Sequence, residues 1–394
     1  MTAHLADYRP ALKPGVVMTG ALLHGPRDVH LVKNTEDGRS FEVGTKEYFL
    51  LSRMDGTHSL RDLGAAYAQR YGRRLGDGNW QQLLGMLGSR GLLSGAPAGA
   101  SGSPGSGSPG SVPPGSVPAG SGISAGEPPR LPPDRPANTL LRGSLSLTAD
   151  AEATVSTLHR RARFLRSPLV LVPLLLLTLV MEATLLLRLA DVLRGTRELF
   201  LHPVPLTAAA IALWASTALH ELAHGVVARH HGGRVTDIGL RWRLPSVLMY
   251  CTVENYLYLR RRRHQVSTAL AGAATNLLFL LPFWAVWLLA PVDRATEHAL
   301  AGLLFLGSVQ ALAMLVPLPP LDGYKIVSQL LGATDLAASS RAYLRLAARR
   351  DPARADYPAR TRRVYAAYGL GALLVLCAVL AAVGLLVHHL LTLS

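Results

Sequence analysis

The stretch "STALHELAHGVVARHH", residues 216–231, decides how the rest of the chain is read. It closes an apolar run and carries a His-Glu-x-x-His pattern. On a helix, positions i and i+4 project from one face, so His220 and His224 can meet a single ion. Glu221 stands one step around, beside such an ion and not necessarily bound to it. That arrangement suits a metal-activated water served by a carboxylate base. Two imidazoles and a carboxylate in an apolar helix are costly to bury unless something compensates them, which argues against accident.

The surroundings are those of a membrane protein. Hydrophobic residues make up 49% of the 394 and charged residues only 16%, a balance unusual for a soluble chain. Five runs approach the ~20 residues that a spanning helix needs. They lie near 168–188, 204–228, 266–290, 299–318 and 366–390. The expected fold class is a multi-pass α-helical membrane protein of about five spans, preceded by a small N-terminal α+β domain. Basic residues gather in alternate flanks: Arg160 to Arg166 before the first span, Arg229 to Arg263 after the second, and Lys325 to Arg363 after the fourth. The opposite side holds Arg188, Arg194, Arg197 and Arg294. The N-terminal part is then expected in the cytoplasm and the C-terminus outside. Much of the net charge of +15 is thereby explained as topology, without a nucleic-acid partner. The start "MTAHLADYRP" has no apolar core, so no cleavable signal peptide is expected. Cys377 falls in a span and Cys251 outside one, which makes a disulfide framework an unsuitable reading.

Three regions separate by composition. Residues 1–95 are globular in character. Residues 96–137 are Gly/Ser/Pro-rich and read as a disordered, partly extended tether. Residues 138–394 carry the apolar runs. In the last region carboxylates are scarce, and a catalytic zinc takes three protein ligands. Asp322, in "PLPPLDGYKI", stands at the cytoplasmic end of the fourth span, the depth expected of His220 and His224. Pro-Leu-Asp-Gly is also a turn signal that places Asp as a helix cap. The agreement in depth with HELAH favours a ligand.

HExxH on one span and Leu-Asp-Gly on a later one resemble the site-2 protease family of intramembrane zinc metalloproteases, over roughly residues 165–390. The resemblance implies one Zn2+ held by His220, His224 and Asp322, with Glu221 as the catalytic carboxylate. It implies peptide hydrolysis near the cytoplasmic edge of the membrane, on an extended substrate. The family's Gly-Pro-x-x-Asn element, which helps hold substrate, is matched in "LAGAATNLL" by Gly272 and Asn276, with Ala273 in place of the Pro. Asn276 reads either as that substrate-positioning residue or as an interhelical hydrogen-bonding group. Met314 stands where the family often has an Asn. Residues 234–258 read either as a loop or as two short strands around Pro245-Ser246; resembling members place β-structure here, to which substrate can add a strand. Glu182 is expected to pair with a neighbouring helix. His202, His230 and His231 are expected in solvent, and Arg260–Arg263 against lipid head groups.

In residues 8–95, "GVVMTGALL", "RDVHLVKN" and "RSFEVG" read as strands, with a turn at 36–38. Three helical segments follow, the second capped by Thr57 or Ser59. Strands followed by three helices suggest a winged helix. The early Arg-Pro, the Gly-led strand before a helix, "MDGTHS" and the final Gly-Leu-Leu resemble the PqqD-like domain, the peptide-recognition element of ribosomal natural-product pathways. That implies capture of a leader peptide by strand addition. A winged helix also binds DNA, but 12 Lys/Arg against 9 Asp/Glu in residues 1–95 leave a weak electrostatic footprint. The whole chain is similar to peptide zinc metalloproteases of such pathways. The function expected is leader removal from a modified precursor peptide in the bacterial cytoplasmic membrane. An exporter or a peptide-modifying enzyme is a further candidate partner beside the bilayer. The alternatives are regulated intramembrane proteolysis of a transmembrane regulator, a non-catalytic peptide receptor or export partner, and a membrane-tethered DNA-binding regulator.

Overall fold

A computed structural model describes residues 3–94, 138–244, 246–259 and 261–392. The expected tether at 96–137, together with Pro245 and Arg260, lies outside the described residues. The chain divides into two compact units, Met1–Leu22 with Asp28–Asp134 and Leu23–Arg27 with Arg135–Ser394.

The first unit opens on a short helix, α1 (Ala3–Ala6). The strands that follow in the chain are β1 (Val16–Met18), β2 (Leu22–His24, of which Leu23 and His24 are counted in the second unit), β3 (Arg27–Asn34) and β4 (Ser40–Gly44). The single strand expected over residues 15–23 is two, parted at Thr19-Gly20. Thr19 donates its N–H to Leu31 O at 2.9 Å, and its hydroxyl accepts from Leu31 N at 2.9 Å. β3 pairs antiparallel with β1, Val16 opposite Asn34, and with β4, Val29 opposite Gly44. Three helices follow: α2 (Thr45–Leu51), α3 (Leu60–Tyr71) and α4 (Asp77–Ser89). Ser59 caps α3 reciprocally with Asp62, whereas Thr57 turns to Asp55 at 2.7 Å. Leu60, Leu63 and Tyr67 of α3 face Trp80, Leu83, Leu84 and Leu87 of α4 across the core, each set at helical spacing.

The second unit holds β5 (Arg142–Ser146), α5 (Ala151–Arg161), α6 (Pro168–Leu187), α7 (Leu189–Leu201) and α8 (Pro203–His230). β6 (Arg234–Arg243), β7 (Ser246–Glu254), α9 (Arg262–Leu289) and α10 (Arg294–Ala313) come next. It ends with α11 (Asp322–Leu331), α12 (Leu336–Ala348) and α13 (Ala359–Thr392). Among the described residues four helices are long and apolar enough to cross a membrane: α6, α8, α9 and the Ala359–Leu385 part of α13. The expected fourth span forms α10, but Glu297, His298 and Gln310 dilute its apolar character. By length and composition the count is therefore four, one fewer than expected.

Residues 234–258 contain two strands, with β6 paired antiparallel to β7 and a bulge at Val235/Asp237. β5 adds to the other edge of β6, Arg142 opposite Arg243. This third strand has little sequence signal, because "RGSLS" lacks β-branched and aromatic residues. Val155 of α5, Val226 of α8, and Val235 and Ile238 of β6 fasten the sheet to the end of α8. Met181, Leu185, Leu280, Trp284 and Leu304 pack α6, α9 and α10 into the main apolar core.

Candidate metal centre

α8 runs unbroken for 28 residues, with Pro203 at its first position, where a missing N–H costs nothing. It delivers His220 and His224 to its α9-facing side, 3% and 7% exposed. Asp322 is the first residue of α11 and is 4% exposed. His220 Nε2 and His224 Nε2 lie 3.1 Å apart, and 2.9 and 3.1 Å from Asp322 Oδ2. The two rings stand perpendicular, at 89°. The structure thus brings Asp322 to the two histidines, 98 positions beyond His224.

The outward-facing atoms of this group are held as well. His224 Nδ1 lies 2.6 Å from Thr268 O. A carbonyl only accepts, so Nδ1 carries a proton and Nε2 is the ring atom turned toward Asp322. Lys325 Nζ donates to Asp322 Oδ1 at 2.8 Å, which leaves Oδ2 to the imidazoles. Burial by itself raises the Asp322 carboxyl. The hydrogen bonds to His220 and His224 and the charge of Lys325 outweigh it and hold the group well below the usual carboxylate range. The N-terminus of α11 favours the same charge. Tyr256 stands nearby and donates its hydroxyl to Gln265 O at 2.8 Å. Burial, then the charge of Asp322, raises its phenol well above the ordinary value.

Two buried imidazoles and a carboxylate that meet at one point are compensated by positive charge between them, from a proton or a metal ion. Two His and one Asp are a suitable donor set for zinc. Ligands at about 2.0–2.2 Å around a tetrahedral zinc sit roughly 3.3–3.5 Å from one another, a few tenths of an ångström beyond the spacing here. The residues fit the ion. Among the described residues this is the one group of three or more His, Cys, Asp or Glu side chains placed to hold a metal.

Two glycines make the approach possible. A Cβ on Gly272 of α9 would overlap the His220 ring, and one on Gly323 would overlap the Leu315 carbonyl. Gly323 N donates to Met314 O at 2.8 Å, so the first turn of α11 folds onto residues 314–316 and carries Asp322 to the histidines. Leu-Asp-Gly is therefore both a turn and the support of a candidate ligand.

Glu221 is partly exposed and makes no hydrogen bond or ion pair with the described residues. It lies near Cys251 of β7, whose thiol burial and then the Glu221 charge push up to about 12. β7 is tied to α8 by Trp214 Nε1, which donates to Val247 O at 2.8 Å. Asn276 is 1% exposed, with its amide engaged by Ser216 and His220. Glu182 accepts from Ser308 Oγ at 2.7 Å and so joins α6 to α10, as expected of it. His202 and His230 are exposed, but His231 is half-buried against His264 of α9. Its neighbour lies 33 positions away, so that packing has no local sequence signal.

Residues 208–302 match Peptidase family M50. The M50 segment contains His220, Glu221, His224, Gly272 and Asn276. It ends before Asp322, whose place beside the histidines rests on geometry. With the four apolar helices, the M50 match indicates an integral membrane metalloprotease of the site-2 protease kind. No curated protein and no solved structure matches the chain. Sequence reading of the candidate metal centre missed Ser216, Thr268 and Lys325. Lys325 was readable in principle, three residues beyond Asp322 on one helix face. Thr268 acts through a backbone carbonyl, which has no residue signature.

Proposed function

We propose that the chain is a zinc-dependent intramembrane endopeptidase that removes the leader from a ribosomally made, modified precursor peptide. The observation that carries the peptidase reading is the convergence of His220 Nε2, His224 Nε2 and Asp322 Oδ2 on one point, with Glu221 adjacent. His220, His224 and Asp322 would hold one Zn2+. When bound, the ion polarises the scissile carbonyl and lowers the pKa of water at the site. Glu221, with no competing hydrogen bond, takes the proton of the attacking water and passes it to the leaving amine. The β6–β7 pair tied to α8 supports an extended substrate, because a helix sequesters its own carbonyls and an added strand presents them.

The order of strands and helices in the first unit supports the PqqD-like reading of residues 1–95 as a leader-binding domain. Its weak net charge supports peptide over nucleic acid. A tether over 96–137 would hold a captured precursor at an effective concentration of about a millimolar. The basic flanks support a cytoplasmic N-terminal domain and a C-terminus outside. The bilayer is one partner, and an exporter or a peptide-modifying enzyme is another.

The test is cleavage of the pathway's precursor by the purified full chain in detergent, read by mass spectrometry. The expected result is one defined product, abolished by chelator and by Glu221→Ala, and formed more slowly from a precursor without its leader. Tight binding without cleavage under zinc-retaining conditions would replace the peptidase by a receptor. Preferential cutting of a transmembrane segment would replace leader removal by regulated proteolysis.

A further inference from the structure

We propose that Ser216 and Asn276 are positioning residues that set which ring nitrogen of His220 carries the proton. Their bond at the α8–α9 contact then works as a two-state relay for metal binding. The inference rests on the zinc reading above. Asn276 Nδ2 lies 3.2 Å from His220 Nδ1, and Ser216 Oγ lies 3.0 Å from Asn276 Oδ1. In this arrangement Ser216 donates to the amide oxygen and the amide nitrogen donates to Nδ1. The His220 proton is then on Nε2, given to Asp322 Oδ2 at 2.9 Å. That pattern gives both ring nitrogens of His220 a partner without a metal.

A metal at Nε2 requires the reverse. The ring stays neutral, its proton moves from Nε2 to Nδ1, and Nδ1 must find an acceptor. Rotating the Asn276 amide by half a turn presents Oδ1 to that proton and Nδ2 to Ser216 Oγ. Both residues can do this because an amide and a hydroxyl each donate and accept. Ser216 and Asn276 are 2% and 1% exposed, so the relay is built from protein groups. His224 has no such freedom, since the Thr268 carbonyl accepts in both states. One ligand is thus preset and the other is switched. This gives the buried Asn276 a role on the candidate ligand and not on the substrate.

The test is zinc affinity of the full chain in detergent, by competition with a chromophoric chelator, for the parent and three variants. Asn276→Leu has no acceptor and is expected to weaken zinc binding by about 10–100-fold. Asn276→Asp always accepts and is expected to bind within a few-fold of the parent. Ser216→Ala is expected to lose severalfold. Thermal unfolding with zinc chelated separates this from packing, which would weaken both Asn276 variants alike. Equal zinc affinity for the parent and Asn276→Leu, or equal loss in the Leu and Asp variants, would overturn the relay alone. A parent chain that binds no zinc would overturn the zinc reading first and the relay with it.

Discussion

Two groups of histidines meet at α8, and they are built differently. His220 and His224 turn their Nε2 atoms to one point opposite a carboxylate, with the outer nitrogens engaged by Thr268 and Asn276. Two turns on, His231 lies flat against His264, ring centres 4.1 Å apart and planes 2° from parallel. His230 is 5.0 Å from His231, and His159 is 5.8 Å from His230. Stacked rings do not aim their nitrogens at a common centre. The second group has more imidazoles than the first, yet among the described residues only the first is placed to hold a metal. Convergence, an opposing carboxylate and fixed outer nitrogens make the candidate site; histidine density does not.

The largest effect expected on this contrast is chemical. Glu221→Gln should lower kcat by about 10²–10⁴-fold with zinc content unchanged, whereas His230→Gln should leave kcat as it is. Steady-state kinetics beside metal analysis reads both. Next comes backbone approach. Gly272→Ala forces a methyl into the His220 ring; overpacking of about 1–3 kcal/mol corresponds to roughly 5–150-fold in zinc affinity. Chelator competition checks it, and an unchanged affinity would show that α9 is not held against His220. Lys325→Met frees Asp322 Oδ1 and should weaken zinc by about tenfold, read by the same titration.

The smallest effect belongs to the stacked group. Burial first, then the charges of His264, His230 and Arg263, lower His231 to about 4, against an ordinary value of 6.5. The unfolded chain therefore binds this proton first as the pH falls. Stability associated with His231 is full above about pH 6.5 and declines toward pH 4. Thermal unfolding of the full chain across that range should show the decline, and His231→Gln should flatten it. The groups facing His231 are His230 at the end of α8, His264, Arg263 and Ser267 on α9, and His159 on α5 through His230.

Legibility followed the kind of signal each feature leaves. Long apolar runs and the i, i+4 histidines announce themselves, and α6, α8 and α9 lie where the runs predicted. Asp322 was readable because a carboxylate is rare in such surroundings. α10 showed the limit of the same signal, since three polar residues decide whether it counts as a span. α7 and β5 were not anticipated: α7 is a short amphipathic helix between spans, and β5 has no pattern of its own. The closest supports of the centre were the least readable. Thr268 contributes a main-chain oxygen, and Gly272 and Gly323 contribute the absence of a side chain.

The most direct test of the central claim is metal content by mass spectrometry of the purified full chain. The comparison is the parent, Asp322→Ala and a His230→Ala/His231→Ala double variant. About one zinc per chain is expected in the parent and in the double variant, and almost none in Asp322→Ala. Full zinc in Asp322→Ala, or its loss from the double variant, would contradict that claim.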